Sequence, residues 1–269
     1  IGVNSSRDAW VYNSSQNRVL KNMEEMINFY NLEVDRYGRL GRDNGVSVES
    51  FISKDSKNIS WNRSLRNDLG KGKNHKFDRN KARIGLYRPF HKQHHYYDRA
   101  VNNDLAKLDS IFPTKETKNQ TILVSGVGAS RGFSALMTDT TPNFHALDTG
   151  QGFPLLFFPT EKEKTLFIGQ NDTTNLSQSF VKTLKAKYNR PDLDPKDIFY
   201  FIYGLLHSKE FVSKYKNDLA KNLPHIPTVK KFEDFTKFSE DGLKLATLHT
   251  NFETVEMFPC EFKEGSLHL

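Results

Sequence analysis

The chain of 269 residues carries 39 Lys and Arg against 32 Asp and Glu, a formal charge of +7, with 36% hydrophobic residues and one cysteine. Mean hydropathy is −0.65, and no apolar run approaches the ~18 residues of a helical membrane span, so such a span is excluded. The length allows one large domain or two small ones with a real core. Cys260 alone makes neither an internal disulfide nor a zinc site, which points to a cytoplasmic location.

The opening Ile1-Gly2-Val3-Asn4, with neither an initiator Met nor an apolar signal core, reads as part of something longer. From a cap at Ser14 or Ser15 an amphipathic helix is predicted to about Arg36. Val19, Leu20, Met23, Met26, Ile27, Tyr30 and Val34 recur at three- and four-residue steps and make its buried stripe, and Gly38 and Gly41 are expected to end it. Short helical turns are expected at 47–52 and 60–69, followed by a basic loop broken by Gly70 and Gly72.

Residues 54–92 hold most of the charge. Twelve Lys and Arg face three Asp there, a local excess of nine positive charges, while the rest of the chain sums to −2. Trp61, Phe77, Tyr87 and Phe90 are interleaved among the cations. Cations suit phosphates and planar groups suit sugars and bases, so a nucleic-acid partner is the reading favoured over a merely solvated face.

From Ala82 the pattern turns to β, with strands expected at 82–87, 95–97, 121–127, 133–138, 144–147 and 155–158. Short linkers rich in Gly, Pro, Thr and Asp favour a mixed, mostly antiparallel sheet. Beyond Gly169 the chain becomes helical. Helices are expected at 176–188 (capped by Thr174 or Asn175), 197–207 (apolar nearly all round), 209–219, 230–238 and 239–252, with Ser239 capping the last. The helical subdomain is placed at about 191–257. The fold class is therefore α+β, with a long N-terminal helix and a C-terminal helical subdomain.

Several motifs invite chemistry and decline it. Gly126-Val127-Gly128 with Gly132 has the wrong spacing for a nucleotide loop and precedes a strand, so it reads as a hairpin turn with Arg131 at its tip. Pro191-Asp192-Leu193-Asp194-Pro195-Lys196 mimics a nuclease motif, but its carboxylates are nearly adjacent in a proline-broken linker. His91, His94 and His95 lack a nameable third metal ligand and read as packed or DNA-facing. No nucleophile elbow, Walker loop or zinc-protease helix occurs. No catalytic residue and no metal site is assigned.

The stretch Leu86-Tyr87-Arg88-Pro89-Phe90 through Tyr96-Tyr97-Asp98 resembles a block in the C-terminal target-recognition domain of type ISP restriction-modification enzymes. Arg7-Asp8-Ala9-Trp10-Val11-Tyr12-Asn13 precedes it. Gln151-Gly152-Phe153-Pro154-Leu155, Ile198-Phe199-Tyr200-Phe201-Ile202-Tyr203 and Pro224-His225-Ile226-Pro227 follow in the family's order. Phe235, Gly242, Leu245-Ala246 and Leu248-His249 complete the resemblance. His91 stands where the family pattern has Asp, and His225 where it has Arg.

The resemblance implies a single polypeptide with nuclease, helicase-like ATPase and adenine-N6 methyltransferase domains, using S-adenosylmethionine, ATP and Mg2+ outside this piece. By that resemblance residues 1–45 lead from the methyltransferase, 46–190 form the DNA-facing recognition region and 191–269 the helical subdomain. Duplex DNA is the expected partner. Asn62, Arg63, Arg66, Lys71, Lys73, Lys76, Arg79, Lys81, Arg83, Arg88, Lys92 and Arg131 are the expected contacts, with Arg63, Arg66, Lys73, Lys76, Arg79 and Arg83 on one face. A shared block suits scaffold or backbone gripping, so Arg88 is assigned a structural or phosphate role. Base readers are expected at 62–80, Asn119, Ser130 and Arg131. The rival reading is an interaction module whose basic segment docks on a neighbouring domain and never meets DNA.

Overall fold

The structure is a computed structural model and describes residues 1–159, 174–256 and 259. Asp8–Val11 (α1) and the two-residue strand Tyr12–Asn13 (β1) lead into the long helix Gln16–Tyr37 (α2). Ser15 caps α2 by accepting from Arg18 N, and the predicted stripe is buried along its length. The predicted stop at Gly38 is not one. Gly38 keeps right-handed helical dihedrals, and the chain widens into a π-helical turn, Gly38–Arg42. Gly41 is required there because a Cβ would collide with the rings of Tyr37 and Phe51. The left-handed turn comes later, at Gly45 (φ +68°).

Val48–Phe51 (α3) and Arg63–Gly70 (α4) follow, then the strands Ala82–Arg88 (β2) and His91–Tyr96 (β3). Thr121–Val124 (β4), Ala135–Thr138 (β5), Thr141–Pro142 (β6) and Gln151–Pro154 (β7) complete the β structure. They form two sheets. One has the order β1-β3-β2-β6, antiparallel except for the parallel β2–β6 pair; the other, β5-β4-β7, is antiparallel throughout. The α+β class with mixed, mostly antiparallel pairing stands.

Two strand expectations are corrected. Residues 144–147 make a turn, because Asn143 captures the backbone ahead of it: its Oδ1 accepts from His145 N and its carbonyl from Ala146 N. The strand expected at 155–158 lies at Gln151–Pro154, where β4 offers a straight partner in the register Thr121↔Pro154.

The helices that follow are Gln178–Tyr188 (α5), Pro195–Leu206 (α6), Lys209–Lys214 (α7), Lys216–Leu219 (α8) and Phe232–Thr250 (α9). The residue before α5 is Ser177, not Thr174 or Asn175. Asp194 caps α6 by accepting from Lys196 N, and Asp192 pairs with Arg190, which accounts for both acids of the nuclease-like motif. Tyr215 leaves helical geometry (φ −104°, ψ 17°) and divides the segment expected as one helix at 209–219. The two helices expected either side of Ser239 are one. Ser239 is mid-helix in α9, and its hydroxyl donates to the carbonyl of Asp197 at 2.9 Å, so it ties α9 to α6.

α6 and α9 cross with backbones nearly touching. A Cβ at Gly204 would strike the Phe238 carbonyl, and one at Gly242 the Tyr200 carbonyl. Their core joins Ile122, Val124 and Met137 of the second sheet to Leu184, Ile198, Phe201, Tyr203, Phe235 and Ala246, residues from both sides of position 190. A separate core packs α2 against α4 and the β3 strand, through Met23, Met26, Tyr30, Leu65, Leu69 and Tyr96. Gly169, Met257 and Cys260 lie outside the described residues. Among the described residues no helix is long and apolar enough to cross a membrane.

Candidate nucleic-acid interface

Between α4 and β2 lies a basic stretch that is irregular until a single 3-10 turn at Arg79–Lys81, yet it is pinned at several points. Tyr30 Oη donates to the carbonyl of Lys73 at 2.8 Å. Asn31 grips His75 by both backbone groups, Nδ2 donating to its carbonyl at 2.8 Å and Oδ1 accepting from its N–H at 2.9 Å. Asp78 N donates to Tyr96 Oη at 2.9 Å, and Asp78 Oδ1 accepts from Asn80 N at 2.9 Å. The ring of Tyr30 packs against Trp61 and His75, with centroids 5.9 and 5.0 Å away. The Lys73 carbonyl, both backbone groups of His75 and the Asp78 N–H are thus satisfied from α2 and β3, while Lys71, Lys73, Lys76 and Arg79 stay exposed.

The nominated cations fall into three groups. Arg63, Lys71, Lys76, Arg79 and Arg131 are exposed and form no ion pair among the described residues. Arg66, Lys73 and Lys81 pair with Glu49 (3.5 Å), Asp68 (3.2 Å) and Asp98 (4.0 Å). Such solvent-facing pairs contribute about 0–1 kcal/mol, so a phosphate can displace the carboxylate at little cost. Arg83, Arg88 and Lys92 are tied into the scaffold. Arg83 donates to the Phe112 carbonyl at 3.0 Å and lies over the Tyr97 ring at 3.8 Å, and burial lowers its pKa. Lys92 donates to the Thr250 carbonyl at 2.8 Å and pairs with Asp139 at 3.4 Å.

Two of the amides nominated are corrected. Asn62 is 6% exposed, and its Oδ1 accepts from Leu65 N as the cap of α4. Asn119 is equally buried: its Nδ2 donates to the carbonyls of Ile111 and Leu156, and its Oδ1 accepts from Leu156 N and Gln120 N. Asn119 joins separate backbone segments and Asn62 caps its own helix, and neither, being buried, offers a free edge to a base. Ser130 is exposed, but its N–H and hydroxyl both donate to Asp148 Oδ2, which braces the turn that carries Arg131.

The Tyr87-Arg88-Pro89-Phe90 block is the turn of the β2–β3 hairpin, with Phe90 in left-handed geometry (φ +54°). Arg88 stacks on Tyr87 at 3.9 Å, donates to the Tyr87 carbonyl (2.7 Å) and Asn143 Oδ1 (3.0 Å), and lies 3.6 Å from Asp8 Oδ2. It thereby joins two blocks that are far apart in sequence. Phe90 meets His249 and Phe252 edge-on, so the hairpin turn abuts the end of α9. The histidines diverge: His91 is exposed, while His95 is fully buried with Nε2 2.7 Å from Thr141 Oγ1 and its pKa pushed down to about 3 by desolvation. Among the described residues no three His, Cys, Asp or Glu side chains are grouped to hold a metal.

A family model described as the type ISP C-terminal specificity domain matches residues 1–265. The chain belongs to that family. Three solved structures are similar to this specificity domain. A nuclease-deletion mutant of the type ISP restriction-modification enzyme LlaGI, in complex with a DNA substrate mimic, is 31% identical, with a TM-score of 0.79 over 96% of this chain and 22% of that one. A cryo-EM structure of a DrdV–DNA complex has 25% identity and a TM-score of 0.84, over 96% of this chain and 24% of that one. The ATP-dependent type ISP enzyme LlaBIII bound to DNA has 28% identity and a TM-score of 0.76, over 97% and 16%. The specificity domain thus spans less than a quarter of each of these proteins. No curated protein matches it.

Sequence reasoning missed the residues that hold the basic loop of the specificity domain. Asn31 stands beside the predicted buried stripe of α2, where a polar residue looks like ordinary surface. Its signal is faint: one amide next to an aromatic, at the edge of an otherwise apolar helix face.

Proposed function

We propose that this specificity domain reads a duplex-DNA sequence for a larger type ISP restriction-modification polypeptide and is itself non-catalytic. Adenine-N6 methylation and cleavage, with S-adenosylmethionine, ATP and Mg2+, belong on this reading to the other domains, and the whole works in the cytoplasm. The observation that carries the proposal is the pinned basic loop. Asn31, Tyr30 and Tyr96 hold its backbone while Lys71, Lys76 and Arg79 have no ion-pair partner among the described residues. A loop ordered before binding loses little conformational entropy when it meets DNA. The matched neighbours LlaGI, DrdV and LlaBIII carry DNA or a DNA mimic in their structures, which supports the same partner here.

Phosphate contacts would fix register, and planar or forked donors would read base edges in the major groove. Lys71, Lys76, Arg63 and Arg79 are the proposed contacts, with Arg66, Lys73 and Lys81 recruited by exchanging a carboxylate for a phosphate. Arg83, Arg88 and Lys92 are proposed to support that surface from behind.

The test is duplex binding by the intact polypeptide over a range of salt. Lys76→Gln/Arg79→Gln should lower the salt slope by about 1 for each phosphate no longer neutralised, or relax the preference at one base pair by about 1–3 kcal/mol if Arg79 reads a base. Unaltered binding by this variant, or no duplex binding at low salt by the parent, would overturn the proposal and leave a docking module.

A further inference from the structure

The positive segment read from the sequence begins at Lys54, yet the π-helical turn Gly38–Arg42 brings two earlier arginines beside the basic loop. Arg42 Nη2 donates to the Leu69 carbonyl near the end of α4 at 3.3 Å. Its guanidinium also covers Gly72 so closely that a Cβ there would strike it, and Gly72 has a left-handed φ of +69°. Arg39, Arg42 and Gly72 line one open polar cleft with Val34, Asp35 and Gly38. Arg39 is exposed and its side chain forms no hydrogen bond or ion pair among the described residues; Arg42 and the neighbouring Lys71 are exposed and pair with no carboxylate among them. Asp35 supplies the acid of this lining, against two arginines, and Lys71 adjoins it in sequence through Gly72.

The π-helical turn extends α2 by five residues with a wider spacing, a rare geometry that is found frequently at functional sites. Here it carries the chain to where Arg42 lies against Leu69 and Gly72. Like charges held close together repel one another, and an anion placed among them relieves the repulsion.

We infer that this cleft is a phosphate site, in which Arg39 and Arg42, with Lys71 at its edge, take one backbone phosphate of the duplex. The inference rests on the DNA reading above and extends it. The contact fixes where the basic loop lands on the duplex and carries no base information of its own. Arg42 is also the hinge of the arrangement, since the guanidinium that would bind phosphate is held against the loop backbone.

The experiment measures binding of the intact polypeptide to a random-sequence duplex across a salt series, with folding followed by thermal melting. Arg39→Gln is the decisive variant because Arg39 is exposed and its side chain forms no hydrogen bond or ion pair among the described residues, so its loss should leave folding unchanged. Arg39→Gln/Arg42→Gln should lower the salt slope by about 1, and Arg39→Gln alone by part of that. Base preference should stay unchanged in both. If both variants bind and respond to salt like the parent while Lys76→Gln/Arg79→Gln weakens binding, the phosphate site is wrong and the DNA reading survives. If Lys76→Gln/Arg79→Gln also has no effect, the DNA reading falls and takes this site with it.

Discussion

Asn31 holds His75 by both of its backbone groups, at 2.8 and 2.9 Å, across 44 residues of chain. One helical side chain thus does for the loop what a strand partner does for a strand. Replacing it with Ala removes both bonds without changing charge. The expected cost is about 1 kcal/mol per bond, confined to the loop. Amide hydrogen exchange at residues 73–78 should quicken while the α2 amides stay protected, and duplex affinity should fall with an unchanged salt slope. Unaltered exchange would show that Tyr30 and Tyr96 suffice to hold the loop.

Lys92 behaves oppositely to the free cations. Its ammonium donates to the carbonyl of Thr250, the last residue of α9, and pairs with Asp139. A cation at a helix C-terminus is favourable, and its loss leaves Asp139 without this partner. Lys92→Met should lower stability by about 1–2 kcal/mol in denaturant titration, while the salt slope of DNA binding is unaffected. A lowered slope would reassign Lys92 to the interface.

Gly242→Ala should damage the C-terminal half. The added methyl meets the Tyr200 carbonyl, a backbone atom that yields only if α6 and α9 move apart. Overpacking of this kind costs about 1–3 kcal/mol. At roughly 2–4 °C per kcal/mol for a chain of this size, the thermal midpoint should drop accordingly. An unchanged midpoint would mean that the helices cross less tightly than described.

Acid should destabilise the fold through one buried histidine and two half-buried ones. Desolvation pushes His95 down to about 3 and His207 to about 4, and lowers His249 as well. Their folded pKa values lie below the unfolded value of about 6.5, so the unfolded chain binds more protons between the two. Stability from these groups is fully present above pH ~6.5 and is lost as pH falls towards the folded values. His249 Nδ1 is 2.5 Å from Tyr203 Oη, which also accepts from Met137 N, so the neutral imidazole fits as acceptor of the phenol O–H hydrogen bond. The denaturation midpoint should decline between pH ~6.5 and ~4, and His207→Phe should flatten that decline. An equally steep profile in the variant would remove His207 from the account.

The strongly periodic parts of the fold were legible. The α2 stripe, a serine cap at its start, the strand from Ala82 and the all-round apolarity of α6 follow from spacing and chemistry that local structure obeys. The second strand, expected only at 95–97, runs over His91–Tyr96 because β2 pairs with it along that length. The failures involve side chains whose partners are distant in sequence. Ser239 looks like a helix cap because Ser commonly is one, but its hydroxyl bonds to Asp197 in another helix. Asn62 and Asn119 look like base readers because they are amides in a polar stretch, but buried backbone needed them first. Residues 144–147 have strand-like apolarity, overridden by Asn143 bending the backbone. At the candidate interface the charge was visible in the sequence. Which charges were free was not, since pairing with Glu49, Asp68, Asp98 or Asp139 depends on tertiary contacts.

The basic loop is held to the N-terminal core by backbone bonds and by the rings of His75 and Phe77, while Lys71, Lys73, Lys76 and Arg79 stay exposed. The second core, between the β4 sheet and the crossed α6 and α9 helices, lies elsewhere in the chain. Mutations at positions 71, 73, 76 and 79 are therefore nearly free of folding penalty, while those beneath the loop are not. If the proposed DNA reading holds, a lineage could drift towards a new recognition site one exposed residue at a time, with Asn31 and the glycine crossing left untouched, and never pass through an unfolded ancestor.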